Sequence, residues 1–316
     1  NIEETQFVFR LIMSGDLSEE KIASILIKLA DKGEASDEIT GGASVLREKS
    51  LKVNLNTEAL DMCGTGGDGK HTLNISTTAS LVLASLGVKV AKHGNKGLTS
   101  KCGSADVLEK LGIDILKQPE EVKKDIENNN FGFMFAPIYH QAIKNVANVR
   151  KQLKQRTIFN LLGPLCNPAS VNYQCVGIFS KDLLTIYAET LKKLGTKKAW
   201  VFHSHDGLDE ISIFEKTDVV EISPSGTKKI LIDPRNFVKH NYKFEDIVGG
   251  DAEFNALKIM QLFNGENNAF LEIVSLNSAA ALLVVGKETL LEVAYNKVKQ
   301  HILSGAVLKT LEALKK

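Results

Sequence analysis

The residues most suited to chemistry lie in one stretch, Asp61-Met-Cys-Gly-Thr-Gly-Gly-Asp-Gly-Lys-His-Thr-Leu-Asn-Ile-Ser-Thr-Thr78. Four glycines, Gly64, Gly66, Gly67 and Gly69, crowd into six positions. Glycine has no side chain to pack, so such a run serves a backbone that turns at positive φ or that a ligand approaches closely. Thr, Asn and Ser donors follow, then an apolar run of helix formers from Ala79 to Leu86. A glycine loop feeding a helix is an anion site, because free N–H groups and the positive helix end face the ligand. Known phosphate motifs fit it only in part. The P-loop needs Ser or Thr after its Lys, and here His71 follows Lys70. The dinucleotide fingerprint needs an acid after the next strand, and the strand expected over 88–91 runs into Lys92-His-Gly-Asn95. The ligand expected is therefore rich in phosphate and is neither NAD nor ATP.

Three further clusters accompany this loop. The segment Lys92-His-Gly-Asn-Lys-Gly-Leu-Thr-Ser-Lys-Cys-Gly-Ser-Ala-Asp106 repeats its composition and suits a second phosphate. His93 has no neighbour at metal-ligand spacing. His203-Ser-His-Asp-Gly-Leu-Asp-Glu210 places Asp209 and Glu210 just past an expected strand. Two such carboxylates, with substrate phosphates and water, are a common magnesium set. His203 and His205 offer a competing two-histidine transition-metal set. Finally, 140–159 reads as one amphipathic basic helix carrying Lys144, Arg150, Lys151, Lys154 and Arg156, and it ends at a Gly163-Pro164 turn. One inward guanidinium there would clamp a carboxylate in bidentate fashion. The residues leave open whether it belongs to Arg150 or Arg156.

The elements that must position these groups follow from periodicity. Ser18 caps a helix with Ile22, Ile25, Leu26 and Leu29 on one face, and Ser36 opens another carrying Ile39, Ala43 and Leu46. Residues 1 to about 55 thus form a small helical unit, with apolar faces exceeding the needs of its own core. From about 58, strands at 88–91, 132–135, 175–179, 199–203 and 218–222 alternate with helices at 77–86, 105–111, 120–128 and 181–194. This alternation predicts an α/β sheet with parallel strands. The C-terminal part reads helical again.

With 316 residues the chain can bury a large core. Its net charge of +1 excludes a global electrostatic footprint for nucleic acid, so any anion site is local. The four cysteines form no C-x-x-C pair, which favours reduced thiols over disulfides or zinc. No signal peptide, long apolar span or lipidation signal is legible, and a cytoplasmic location is expected.

Taken together and in order, the clusters resemble the anthranilate phosphoribosyltransferase family. The matching segments are G-T-G-G-D-G at 64–69, N-I-S-T-T at 74–78, K-H-G-N at 92–95 and G-S-A-D-V-L-E at 103–109. F-A-P at 135–137, R-T-I-F-N-L-L-G-P-L at 156–165 and D-G-L-D-E at 206–210 complete the set. The chain departs from the family where Lys96, Gly97, Leu98 and Thr99 replace its usual R-[SA]-[VI]-S, and where Cys102 replaces Ser. Lys for Arg keeps charge and loses the planar fork.

The resemblance implies transfer of a phosphoribosyl group from phosphoribosyl pyrophosphate to the amine of anthranilate, with magnesium, in tryptophan biosynthesis. It implies donor contacts from Gly64, Gly67, Asp68, Thr72, Asn74, Ile75, Ser76 and Thr77. It also implies donor contacts from the second loop, at Lys92, His93, Gly94, Asn95, Lys96, Gly97, Leu98, Thr99, Ser100 and Ser104. Anthranilate contacts are implied for Gly64, Asn95 and Arg150, and magnesium ligands for Ser76, Asp209 and Glu210. The implied fold is a small helical domain over 1–57, joined in space by helices from about 140–160. It packs on a larger α/β domain over 58–316 with a mostly parallel, nucleoside phosphorylase-like sheet. A homodimer through the helical domain is implied, with no nucleic-acid or membrane partner. Neither a covalent nucleophile nor an obligatory side-chain base is expected, since an oxocarbenium-like displacement with a charged leaving group runs on positioning and charge neutralisation. A pyrimidine nucleoside phosphorylase would carry an S-G-R-G-L-type segment where this chain has Lys101-Cys-Gly-Ser-Ala-Asp106. A nucleic-acid-binding relative would show a basic stripe and lose the acids at 209–210.

Overall fold

The computed structural model describes residues 1–97, 101–153 and 155–315. The chain opens with α1 (Ile2–Ser14), α2 (Glu19–Lys32) and α3 (Ser36–Lys49). Ser18 caps α2 by accepting from Lys21 N at 3.4 Å, and acids fill the first turn where the helix end is positive. These helices bury Phe9, Ile12, Ile22, Leu26 and Ile39. Full burial of each such side chain contributes about 1.5–3 kcal/mol.

The larger part is built on β1 (Leu60–Gly64), β2 (Val90–Gly94), β3 (Phe131–Phe135), β4 (Tyr173–Gly177), β5 (Lys198–Ser204), β6 (Thr217–Ser223) and β7 (Gly226–Ile232). Their order in the sheet is β3-β2-β1-β4-β5-β6-β7. The first five run parallel, and β6 and β7 return antiparallel. Between strands run α4 (Ile75–Ser85), α5 (Ser104–Lys110), α6 (Pro119–Asn129), α7 (Ala136–Tyr139), α8 (Lys144–Leu153), α9 (Phe159–Leu162) and α10 (Leu184–Lys193). The chain ends in α11 (Ala252–Phe263), α12 (Ala269–Val284), α13 (Leu291–Leu303) and α14 (Ala306–Leu314). Helix α12 is buried on nearly all sides and packs on α4, forming one core on that face of the sheet. The other face packs with α10 and the helical domain. The architecture is thus an N-terminal helical domain on a larger α/β domain with a mostly parallel sheet.

Three expectations need correction. The second strand starts two residues later than predicted and runs to Gly94, so Lys92 and His93 stand on it rather than in a loop. Gly87 turns at φ +76° and the amide of Val88 bonds Leu83 O at 2.9 Å, which holds Val88 to the end of α4. The basic stretch 140–159 is not one helix. A 3-10 turn precedes α8, which ends at Leu153, and irregular backbone at 155–158 precedes α9. The amide of Thr157 instead bonds Asn160 Oδ1 at 3.0 Å. Lys154 lies outside the described residues. The last two strands form a hairpin over Ser223–Gly226 rather than further crossovers, and β7 had no expectation at all.

Helix α8 leaves the sheet and joins the N-terminal helices. It packs on α1 and α2, with Asn145 Nδ2 donating to Met13 O at 2.9 Å. Phe9 of α1 meets Phe159 at 5.7 Å between ring centres.

Candidate active site

The first glycine loop leaves the C-terminal end of β1, in the centre of the sheet, and returns into α4. Gly66, Gly67 and Gly69 all hold positive φ, at 68°, 75° and 72°, where a side chain would be strained. The loop rests on neighbouring strands: Thr65 N donates to Gly177 O at 2.9 Å, and Phe179 N donates to Thr65 Oγ1 at 3.1 Å. Its far arm is tied to the segment before α11. Leu73 N bonds Ile247 O at 2.9 Å, Gly249 N bonds His71 O at 2.8 Å, and Thr72 pairs with Val248. Asp68 turns back to accept from Lys70 N at 3.0 Å. Ile75 and Thr77 are buried, while Thr72, Asn74 and Ser76 keep part of their surface open.

The acids arrive from the loop after β5 and meet the glycine loop from below. Asp209 Oδ2 accepts from Gly66 N at 2.8 Å, and Glu210 Oε1 accepts from Ser76 N at 3.1 Å, in the first turn of α4. Burial raises the Asp209 carboxyl to about 7, and the neighbouring Asp68 pushes it the same way. Burial, then the charge of Asp209, drives Glu210 well above the usual carboxylate range. Asp209 and Glu210, with Asp68 beside them, repel one another, and a divalent cation would relieve that repulsion. Among the described residues no group of three or more His, Cys, Asp and Glu side chains is arranged to hold a metal ion. Magnesium fits a smaller set, because it takes one or two carboxylates with substrate phosphate and water. The two-histidine alternative is not assembled: His203 Nδ1 pairs with Ile178 O at 2.8 Å and His205 Nε2 with Asp218 Oδ2 at 2.9 Å.

Two glycines let these acids in, and only one was named from sequence. A Cβ on Gly64 would lie 2.3 Å from Asp209 Oδ2. A Cβ on Gly177, at the end of β4, would lie 1.6 Å from the Asp209 carbonyl oxygen. No motif marks Gly177; only the sheet order, which sets β4 between β1 and β5, reveals its role.

The second loop follows β2. Lys92 is 2 % exposed and its ammonium turns inward to donate to Met62 O. Beside it, buried Asp61 accepts from Asn167 Nδ2 at 2.7 Å and from His93 N at 3.4 Å. Burial lifts Asp61 to about 6, against the pull of Lys92. The His93 ring leans on His140 at 4.9 Å, and its Nδ1 meets Gly163 O at 3.3 Å. Burial depresses His93 to about 3 and His140 to about 4, so both are neutral at pH 7. Beyond the strand, Asn95 O accepts from Ala105 N at 3.1 Å and from Ser104 Oγ at 3.3 Å. Gly94 lies against the Ser104 hydroxyl, and Lys96 pairs with Glu109 at 3.3 Å. Asp106 Oδ2 accepts from both Gly97 N and Gly103 N at 2.8 Å. Asp106 was read only as part of a motif; its place at the third position of α5 is the signal for this clamp. Leu98, Thr99 and Ser100 lie outside the described residues.

The two arginines part company. Arg150, on α8, sets its guanidinium 5.2 Å from the Phe159 ring, where burial lowers its pKa. Arg156 donates to Gly67 O and stacks 3.8 Å over Phe179. It is Arg156 that touches the first glycine loop.

Comparison with known proteins agrees with this geometry. Residues 1–50 match the helical bundle domain of a glycosyl transferase family, and residues 56–308 match its a/b domain. The anthranilate phosphoribosyltransferase of Pelagibacter ubique is 49% identical over 98% of this chain and 94% of its own. That of a Thermoanaerobacter species is 47% identical over 90% of this chain and 85% of its own. The crystal structure of anthranilate phosphoribosyltransferase from Thermus thermophilus superposes with a TM-score of 0.94 at 37% identity, covering 100% of this chain and 94% of that one. The Saccharomyces cerevisiae enzyme in complex with PRPP and Mg gives 0.89 at 28% identity, over 99% of this chain and 91% of its own. A helical domain on a mostly parallel sheet, two glycine-rich loops over an acid pair and near-full-length identity lead to one conclusion: the chain belongs to the anthranilate phosphoribosyltransferase family.

Proposed function

We propose that this protein transfers the phosphoribosyl group of 5-phosphoribosyl 1-pyrophosphate to the amine of anthranilate, giving N-(5-phosphoribosyl)anthranilate and pyrophosphate. One observation carries the reading: two carboxylates, Asp209 and Glu210, bond the backbone of the same loop and helix end that offer N–H groups to an anion. A site that joins anion donors to cation ligands suits a magnesium-borne polyphosphate. The first loop, from Gly64 through Thr77, and the second, from Asn95 through Ser104, hold the donor, with Lys92 beneath them bonded to Met62 O. Asp209, Glu210 and the Ser76 hydroxyl would hold magnesium, which would neutralise charge gathering on the leaving pyrophosphate.

The acceptor side lies toward α8 and the 159–165 segment. Arg150 there is a planar partner for the anthranilate carboxylate, with Gly64 and Asn95 as further acceptor contacts. His93 and His140 are neutral and take no charge from the aryl amine, whose own lone pair attacks the anomeric carbon. Its surplus proton passes to solvent or phosphate oxygen, so no side-chain base is needed. The rate comes from alignment and from charges set in place beforehand.

The structural division is placed near residue 57, with α8 counted with the N-terminal helices on which it packs. A homodimer through those helices agrees with Phe7 of α1, which is 63% exposed. A cytoplasmic location agrees with four buried cysteines that form no disulfide. No helix among the described residues is long and apolar enough to cross a membrane.

Anthranilate fluorescence followed with purified protein tests the reaction. Loss of signal should require both phosphoribosyl pyrophosphate and magnesium. Loss with inorganic phosphate and a nucleoside alone, or no loss with the full mixture, contradicts it.

A further inference from the structure

Asn255 stands at the start of α11, 1 % exposed and outside both glycine-rich loops. Its amide is fully directed. Oδ1 accepts from Gly250 N at 2.8 Å, and Nδ2 donates to Asn74 Oδ1 at 2.8 Å. Asn74 precedes α4 yet makes no capping bond with its side chain. Instead its Oδ1 also receives the Cys102 thiol at 3.4 Å, and its Nδ2 donates to Cys102 O at 3.3 Å. One asparagine thus ties the end of the first loop to the end of the second, and a buried asparagine on a third element sets which way its amide faces.

We propose that Asn255 is a positioning residue for the phosphate donor, acting through Asn74 to hold the two loops in register. This rests on the reading that Asn74 belongs to the donor site. The physical ground is the asymmetry of an amide. With Asn255 Nδ2 donating, Asn74 must offer its oxygen to α11 and its N–H groups to Cys102 and the open site. Reversal would set Asn74 Oδ1 against the Cys102 carbonyl, two acceptors in contact. The bond between Gly250 and Asn255 also anchors the segment whose Ile247 and Gly249 hold Leu73 and His71, so the far arm of the first loop and its amide share one support.

Asn255→Asp is the test, since it keeps the shape and the Oδ1 acceptor and removes the Nδ2 donor. The donor KM should rise about tenfold, the worth of one polar contact in such a network, while the anthranilate KM stays within about twofold. In an Asn74→Ala background the same change should add less than about twofold, because the two residues act as one unit. A fall in melting temperature with both KM values unchanged makes Asn255 a packing residue only and overturns the proposal. If Asn74→Ala alone leaves the donor KM unchanged, the donor-site reading is what has failed, and the inference falls with it. Should Asn255→Asp not fold, Cys102→Ser tests the network from its other end. A hydroxyl is the stronger donor to Asn74 and should lower the donor KM several-fold; an unchanged or raised value overturns the proposal.

Discussion

The two loops are both rich in glycine and hydroxyl residues and follow the C-terminal ends of neighbouring strands, β1 and β2, but they are held differently. The first is fastened on three sides: to β4 through Thr65, to the acid loop through Gly66, and to the 247–249 segment through His71, Thr72 and Leu73. The second is closed by one carboxylate, Asp106, which takes the amides of Gly97 and Gly103. The lesson is that a shared residue type does not imply a shared role. The first loop is braced by its neighbours and has two buried carboxylates bonded to its backbone, the arrangement on which the proposed donor and cation sites rest. Among its described residues the second is closed mainly on itself, by Asp106 and by Asn95 O, which takes Ala105 N and the Ser104 hydroxyl, and it is tied to the first through Asn74.

The sharpest way to break this contrast is to remove those two carboxylates. Asp209→Ala with Glu210→Ala should cut turnover about 10²–10³-fold, the usual cost of losing preorganised charge stabilisation. Because both acids sit on a loop, the protein should stay folded by circular dichroism. Unchanged turnover and magnesium response would leave the first loop without its cation site. Gly177→Ala should come next. Its Cβ would overlap the Asp209 carbonyl, whose backbone cannot step aside as a side chain would. Both the melting temperature and the apparent magnesium affinity should fall; a variant with a lower melting temperature and an intact magnesium titration would detach Gly177 from the site.

Arg150 and Arg156 sharpen the contrast from the acceptor side. Arg150→Ala should raise the anthranilate KM about tenfold to a hundredfold, the cost of a charged bidentate contact. Arg150→Lys should recover only part, since an ammonium lacks the fork. Arg156→Ala, which frees Gly67 O, should instead weaken the donor. Exchange of those two outcomes in steady-state kinetics would reverse the assignment of substrates.

Much of this was legible in the residues. The glycine loop, the acids past β5 and the helical start all carry local signals: φ-permissive residues, capping Ser18, and periods of 3.6. What was hidden depends on the sheet order. Gly177 matters because β4 lies between β1 and β5, and Asn255 because α11 packs back onto the loops. Neither relation leaves a local trace. The break at 155–158 was also hidden, because the basic periodicity of α8 carries on past the point where the backbone of Thr157 turns to Asn160. Lys92 looked like a loop cation because the strand that buries it continues three residues beyond its apolar run.

Another expected effect is on pH dependence, read in stability rather than in turnover. Asp209 titrates near 7 in the folded protein, raised from 3.8. Between those values the native state holds a proton that the unfolded chain has released, so stability without magnesium should fall as pH rises from about 4 to about 7. Magnesium should flatten that slope, and Asp209→Asn should reduce it, with the raised carboxyls of Glu210 and Asp61 keeping part of it. Melting curves across this range in chelator and in magnesium check the sign; a rise of stability with pH in chelator alone would contradict it.

The most direct measurement is calorimetric binding of phosphoribosyl pyrophosphate, in magnesium and in chelator, to the native protein and to the Asp209→Ala, Glu210→Ala variant. The account predicts binding to the native protein that needs magnesium, and weak, magnesium-independent binding to the variant. Equal, magnesium-dependent binding by both proteins would place the donor and its cation somewhere other than the cradle formed by Gly64–Thr77 and the two acids.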